Sequence, residues 1–129
     1  MSKAVTKLRE AREFALALPG AEEADHWGNP SFRVGGRIFA TLPDSDHMNV
    51  MIDPFDVEAA VRVEPDACAE LRWGKNVSGV RVDLAQASTE LVGDLLEAAW
   101  CRKAPRRLSA AREREGRGGD GDHKGTAGR

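Results

Sequence analysis

Gly35 and Gly36 sit between two apolar runs, Ser31–Val34 and Arg37–Leu42. A two-residue loop joins antiparallel strands only through turns that need positive φ, which glycine adopts without strain. The pair therefore predicts a tight hairpin, and with it an antiparallel sheet. Its simplest register sets Phe32 opposite Phe39, both on one face with Val34. Ile38, Ala40 and Leu42 then point the other way, so the sheet has no clean polar face.

Helical periodicity brackets this β region. Ala4, Leu8, Ala11, Ala15 and Leu18 recur at helical spacing, with Phe14 beside them, and predict a helix over 3–18 that Pro19-Gly20 stops. Ala24–Trp27 reads as a short strand and Gly28-Asn29-Pro30 as a turn. His47–Ile52 reads as a strand with Met48, Val50 and Ile52 on one face. Asp53-Pro54 opens a second helix, aspartate capping and proline at the first helical position, with Val57, Ala60 and Val61 apolar. Pro65-Asp66 is expected to start a short helical turn through Leu71, and Val77–Leu84 is the last strand. Ser88 caps a third helix carrying Leu91, Val92, Leu95, Leu96, Ala99 and Trp100. Glu90 lies in its first turn, Arg102 and Lys103 lie in its last, and Pro105 ends it. The expected fold is α+β: a single antiparallel sheet flanked by N- and C-terminal helices, over residues 1–108.

Residues 109–129 contain no aromatic residue and no Leu, Ile or Val, and glycine is dense from Gly116 to Gly121. Such a segment buries too little surface to offset its ordering entropy, so a disordered basic tail, rich in Gly and Arg, is expected there. Charge divides at about the same place. Residues 1–101 hold ten Lys/Arg against seventeen Asp/Glu, and residues 102–129 hold nine against four. A basic tail on an acidic body suits contact with a polyanion, a solubilising end, or a tail that folds back on the body.

No apolar run reaches the length of a membrane span, and Met1-Ser2-Lys3-Ala4 leads into a charged amphipathic segment without the apolar core of a signal peptide. A cytoplasmic protein without membrane contact is expected. Cys68 and Cys101, each in an apolar segment that reads as helical, are expected to be reduced, half-buried thiols.

Few residues point to chemistry. His26, His47 and His123 are far apart in sequence. The first two could approach Asp44 or Asp46, but nothing in their spacing demands a metal site. Glu22, Glu23 and Asp25, like Asp44 and Asp46, read as solvated loop charge. Nucleophile-elbow, phosphate-loop and dinucleotide motifs are absent from the sequence. No enzyme activity and no cofactor are expected. The cations are more informative: Arg33 and Arg37 flank the hairpin, Arg72, Lys75 and Arg81 surround the loop before the last strand, and Arg102, Lys103, Arg106 and Arg107 close the third helix. Trp27 and Trp73 border turns and could stack on bases, whereas Trp100 continues an apolar face and reads as core.

The segment His26-Trp27-Gly28-Asn29-Pro30-Ser31-Phe32-Arg33-Val34-Gly35-Gly36-Arg37-Ile38-Phe39-Ala40 resembles the core signature of the MmcQ/YjbR family. Leu18-Pro19-Gly20-Ala21-Glu22-Glu23, Val80-Arg81-Val82-Asp83-Leu84 and Ala99-Trp100-Cys101-Arg102-Lys103-Ala104-Pro105 are similar to further parts of it. The resemblance covers most of residues 8–108. It implies a compact α+β domain similar to frataxin-like and secretion-chaperone-like folds, with no catalytic residues to carry over and a DNA-binding description built on a "double wing" of hairpins. The expectation is a small non-enzymatic protein that contacts DNA phosphate with little sequence preference. Its contact residues would be Arg33, Arg37, Lys75, Arg81, Arg102, Lys103, Arg106 and Arg107. A protein-interaction module of chaperone type, using a sheet face or edge, is the alternative; the oligomeric state is left open.

Overall fold

A computed structural model describes residues 3–119, and the side chains of residues 7–113. Ten elements follow in order: α1 (Lys3–Ala17), β1 (Ala21–His26), β2 (Asn29–Val34), β3 (Arg37–Thr41), β4 (His47–Val50), α2 (Pro54–Val63), β5 (Cys68–Trp73), β6 (Asn76–Asp83), α3 (Thr89–Lys103) and α4 (Arg106–Gly119). The six strands form one open sheet in the order β1-β2-β3-β4-β6-β5, and each neighbouring pair is antiparallel. The fold is α+β.

The hairpin forms where the two glycines predict it, with φ of 58° at Gly35 and 80° at Gly36. Its register differs from the simplest one. Val34 faces Arg37 and Arg33 faces Ile38, but a bulge then sets Phe32 opposite Ala40 rather than Phe39. The extra residue bends β3, so that Phe39 and Ala40 are both buried while Ile38 turns to the opposite face. A residue count along the hairpin cannot reveal this, because burying Phe39 beside Ala40 depends on the helix packed over them.

One face of the sheet is apolar. Phe32, Val34, Met48, Val50, Val80 and Val82 are at most 1% exposed and pack with Ala11 and Ala15 of α1, Leu18 just after it, Val57 and Ala60 of α2, and Leu96, Ala99 and Trp100 of α3. The other face carries Thr41, Asn49 and Arg81, aligned across β3, β4 and β6. Among the described residues no helix covers it.

Two expectations are corrected. Cys68 starts strand β5 instead of lying in a helical turn. Ala67 and Cys68 still bond the Glu64 carbonyl at 3.0 Å as α2 unwinds, and the chain then pairs with β6 from Cys68 to Trp73. Ala-Glu-Leu-Arg favours helix in isolation, but ladder bonds to β6 override that weak preference. The tail expected to be disordered from Ser109 is helical through Gly119. Leu108 packs against the core, and Arg112 bonds Glu97 at 3.0 Å with its guanidinium 6.0 Å from the Trp100 ring centroid. Counting apolar residues misses this, because the helix is held by its first turn and by one arginine. Residues 120–129, with His123, lie outside the described residues.

The caps form as predicted: Asp53 accepts from the Asp56 amide at 2.9 Å and Ser88 from the Leu91 amide at 3.1 Å. Ser88 is itself held by Glu64, whose carboxylate accepts from the Ser88 amide at 3.0 Å and its hydroxyl at 2.6 Å, while Lys7 donates to the Ala87 carbonyl. One carboxylate thus joins the end of α2 to the start of α3. The Ser88 hydroxyl, then its amide, hold the Glu64 carboxyl below its ordinary value of 4.5. A carboxyl lowered in the folded state stabilises the protein above its unfolded pKa, and that contribution is lost as pH falls through the lowered value. Glu64→Gln should cost about 1 kcal/mol at neutral pH. Urea midpoints followed from about pH 6 to pH 3 should converge between parent and variant as the parent's carboxyl protonates. Parallel curves would assign the acid sensitivity to other carboxylates.

Candidate functional site

The uncovered face holds a groove of about 690 Å³, within the range of about 300–1,000 Å³ typical of ligand sites. Ile38 from β3, Met51 just past β4 and Leu71 from β5 give it an apolar surface, and Thr41 and Asn49 add polar groups. Trp27 and Trp73 line it from the tips of the two outer hairpins, and Arg72 and Lys103 bring cations to it. None of the residues lining it is a carboxylate, in a chain with 21 of them.

The tryptophans are exposed to an unusual degree, Trp27 at 89% and Trp73 at 74%. Exposing so much apolar ring to water is unfavourable, and neither ring is used in the core. Trp27 also sits at φ 55°, the only non-glycine residue at positive φ among the described residues. That left-handed backbone costs a bulky residue on the order of 1–3 kcal/mol, where Asn or Gly would occupy the turn at little cost. Gly28, at φ 85°, completes the turn, and its amide donates to the Asp25 carboxylate at 3.2 Å. The His26 ring stands edge-on to the indole at 6.2 Å. Strain kept at an exposed aromatic residue makes Trp27 a candidate functional position.

Asn49 lies on β4, in the middle of this face. Its Oδ1 is buried without a hydrogen-bond donor among the described residues. A buried acceptor left unpaired costs about 1–3 kcal/mol.

The eight candidate cations divide into groups. Arg37, Arg102 and Lys103 come together where the Gly35-Gly36 turn meets the α3–α4 joint; a side chain at Gly35 would come within 2.9 Å of Pro105. Burial and then the charges of Arg102 and Arg37 hold the Lys103 ammonium below its ordinary range. None of the three is paired with a carboxylate among the described residues. Arg106 and Arg107 follow, exposed, in the first turn of α4. Lys75 is exposed at the β5–β6 turn, where its carbonyl accepts from Arg72 at 3.2 Å. The other two are engaged by their own neighbours. Arg33 donates to the Ser31 hydroxyl at 3.2 Å and reaches the Asp25 carbonyl at 3.5 Å. Arg81 lies 3.5 Å from Asp44. The Asp46 amide and the His47 ring keep the Asp44 carboxyl below its ordinary value.

His47 is thus part of a loop-closing network with Asp44, at 3.0 Å, and His26 faces the groove. Among the described residues no three of His, Cys, Asp and Glu converge as metal ligands would. Cys68 is buried, and desolvation, then Glu64, push its thiol up to about 11. Cys101 is exposed on α3, its thiol also raised, first by burial. Neither is poised as a nucleophile, and both differ from the half-buried state expected of them.

The YjbR family model matches residues 16–102, from the end of α1 to the last turn of α3. The chain belongs to the YjbR family. Its fold is similar to the crystal structure of the Deinococcus radiodurans protein DR2400, which carries a DUF419 domain. The two share a TM-score of 0.68 and 19% identity over 89% of this chain and 91% of that one. No curated protein matches this sequence. The YjbR region includes both tryptophans, the whole sheet and the Arg37–Arg102 pair, while Lys103, Arg106 and Arg107 follow it.

Arg72, Trp27 and Trp73 are legible as candidates in the sequence; Ile38, Asn49, Met51 and Leu71 are not. One sequence signal points to this face: Trp-Gly occurs twice, at Trp27-Gly28 and Trp73-Gly74, each time at a hairpin turn.

Proposed function

We propose that this YjbR protein is a non-enzymatic DNA-binding protein that contacts phosphate with little sequence preference. The observation that carries the reading is the meeting of Arg37, Arg102 and Lys103 at one corner, where the Gly35-Gly36 turn packs against Pro105 and none of the three is paired with a carboxylate among the described residues. Like charges held together without a carboxylate partner are unfavourable in the free protein and favourable against a polyanion, where each phosphate neutralised releases counterions. Arg106 and Arg107 extend the corner, and Lys103 joins it to the open groove. This concentration on one corner counters the acidity of the body as a whole. The proposed contact set is therefore narrower than the eight cations read from the sequence, since Arg33 and Arg81 have acceptors of their own.

The test is the salt dependence of DNA binding. Log affinity should fall with log salt at about 0.9 per phosphate neutralised. Replacing Arg37, Arg102 and Lys103 together by alanine should flatten that slope by about 2–3, whereas Arg33→Ala with Arg81→Ala should leave it nearly unchanged. A slope altered only by the second pair would move the contact surface to the sheet. No binding at about 50 mM salt, where exposed charges are weakly screened, would end the DNA reading. A protein partner is the second reading. It is favoured by Phe55 and Val63 of α2, which are 82% and 66% exposed.

A further inference from the structure

We infer that the open groove binds unpaired bases, so that the preferred ligand is single-stranded DNA rather than duplex. This rests on the DNA-binding reading above and specifies its substrate. The charged corner alone would hold either form, because phosphate contacts carry no information about pairing. The groove discriminates. Its two exposed aromatic residues, Trp27 and Trp73, stand on the outer hairpins at opposite ends of the strand order, yet both line it. In a duplex the base faces are stacked on one another and closed to side chains. In a single strand each face is free to lie on an indole. Two separate indoles offer two platforms, which suits a run of several nucleotides rather than one bound nucleotide.

The rest of the surface is consistent with such a strand. Between the platforms lie Ile38, Met51 and Leu71, which present apolar contact without demanding a particular base. Lys103, which is not paired with a carboxylate among the described residues, gives the backbone a cation to follow. Arg72 is paired with Glu70 at 2.9–3.0 Å and contributes its stem to the groove, whose lining residues include no carboxylate. The Asn49 amide at the centre has an oxygen without a donor among the described residues. The amide torsion of asparagine is soft, so a small turn directs that oxygen to an N–H on the Watson–Crick edge of a base. Every base has such a donor, and in a duplex it is already taken by the opposite strand. The strained backbone of Trp27 has the same explanation: an Asn-Gly turn would be easier to form but would offer no platform.

The experiment compares a dT strand of about 12 nucleotides with a mixed-sequence duplex of equal length. Binding to the full-length protein is followed by tryptophan emission and by anisotropy of labelled DNA at about 50 mM salt. The single strand should bind at least about tenfold tighter and quench emission, and Trp73→Ala should weaken it about tenfold or more. Trp27→Asn should weaken it similarly while melting at the same temperature or higher, which excludes misfolding as the cause. Both variants should leave duplex affinity nearly unchanged. Equal affinity for the two forms, with loss only in the Arg37, Arg102 and Lys103 variant, would overturn this inference and leave the DNA reading standing. Binding to neither form would overturn both.

Discussion

Trp100→Ala is expected to lower stability by about 3–5 kcal/mol, the range for removing a large aromatic side chain from a core. The ring is 0% exposed and belongs to the cluster between α3 and the sheet. Its Nε1–H donates to the Pro19 carbonyl at 2.8 Å, across 81 residues of chain, and so ties α3 to the turn between α1 and β1. Alanine would leave a cavity, an unpaired carbonyl and no ring under Arg112. For a domain whose whole stability is about 5–15 kcal/mol, the variant would be close to unfolding. Trp100→Phe keeps most of the volume and loses the hydrogen bond, so it should cost less than alanine. Urea denaturation of the three proteins gives the order. An alanine variant with the parent's midpoint would show that this side chain is not core.

Gly79→Ala should be comparably damaging, at about 3 kcal/mol or more, the upper end of overpacking penalties. Gly79 lies in β6 opposite Leu71, next to the Val50–Val80 pair that joins β4 to β6. A Cβ there would stand 2.3 Å from the Val50 carbonyl oxygen and 3.2 Å from the Met51 Cα. These are backbone atoms and cannot swing away as a side-chain tip can. Met51 is fixed in turn by its amide, which donates to the Phe39 carbonyl at 2.9 Å. Relief therefore requires β4 and β6 to separate at the middle of the sheet. Thermal melting with a far-ultraviolet probe measures the loss. Gly74→Ala makes the contrast, since a Cβ there would meet nothing within 4 Å and would suffer only from φ of 63°. If the two variants melt together, close approach at Gly79 is not what excludes a side chain.

Several local features were legible from residue order alone. The Gly35-Gly36 turn, the Asp53-Pro54 and Ser88 helix starts, and the buried face of Met48, Val50 and Ile52 each depend on a few neighbouring residues. Proline and glycine backbone limits, side-chain capping and two-residue alternation act over such short distances. Trp100 was also legible as core, because it extends the helical stripe formed by Leu91, Val92, Leu95, Leu96 and Ala99.

Tertiary structure decided the rest. Strand β5 exists because β6 offers it a ladder, although its own residues favour helix. Helix α4 extends past Leu108 because Glu97 and Trp100 hold Arg112. The Phe39 bulge likewise depends on what covers β3. The candidate site shows the same division most clearly. Trp27, Arg72, Trp73 and Lys103 could be picked out as residue types, but they come from elements and turns separated by up to 76 positions. Only the strand order β1-β2-β3-β4-β6-β5 brings them to one face. Composition showed an acidic body, and it carries no information on where the acidic groups are absent. That depends on which side of each strand faces the helices, a choice made when the apolar residues of all six strands are buried together.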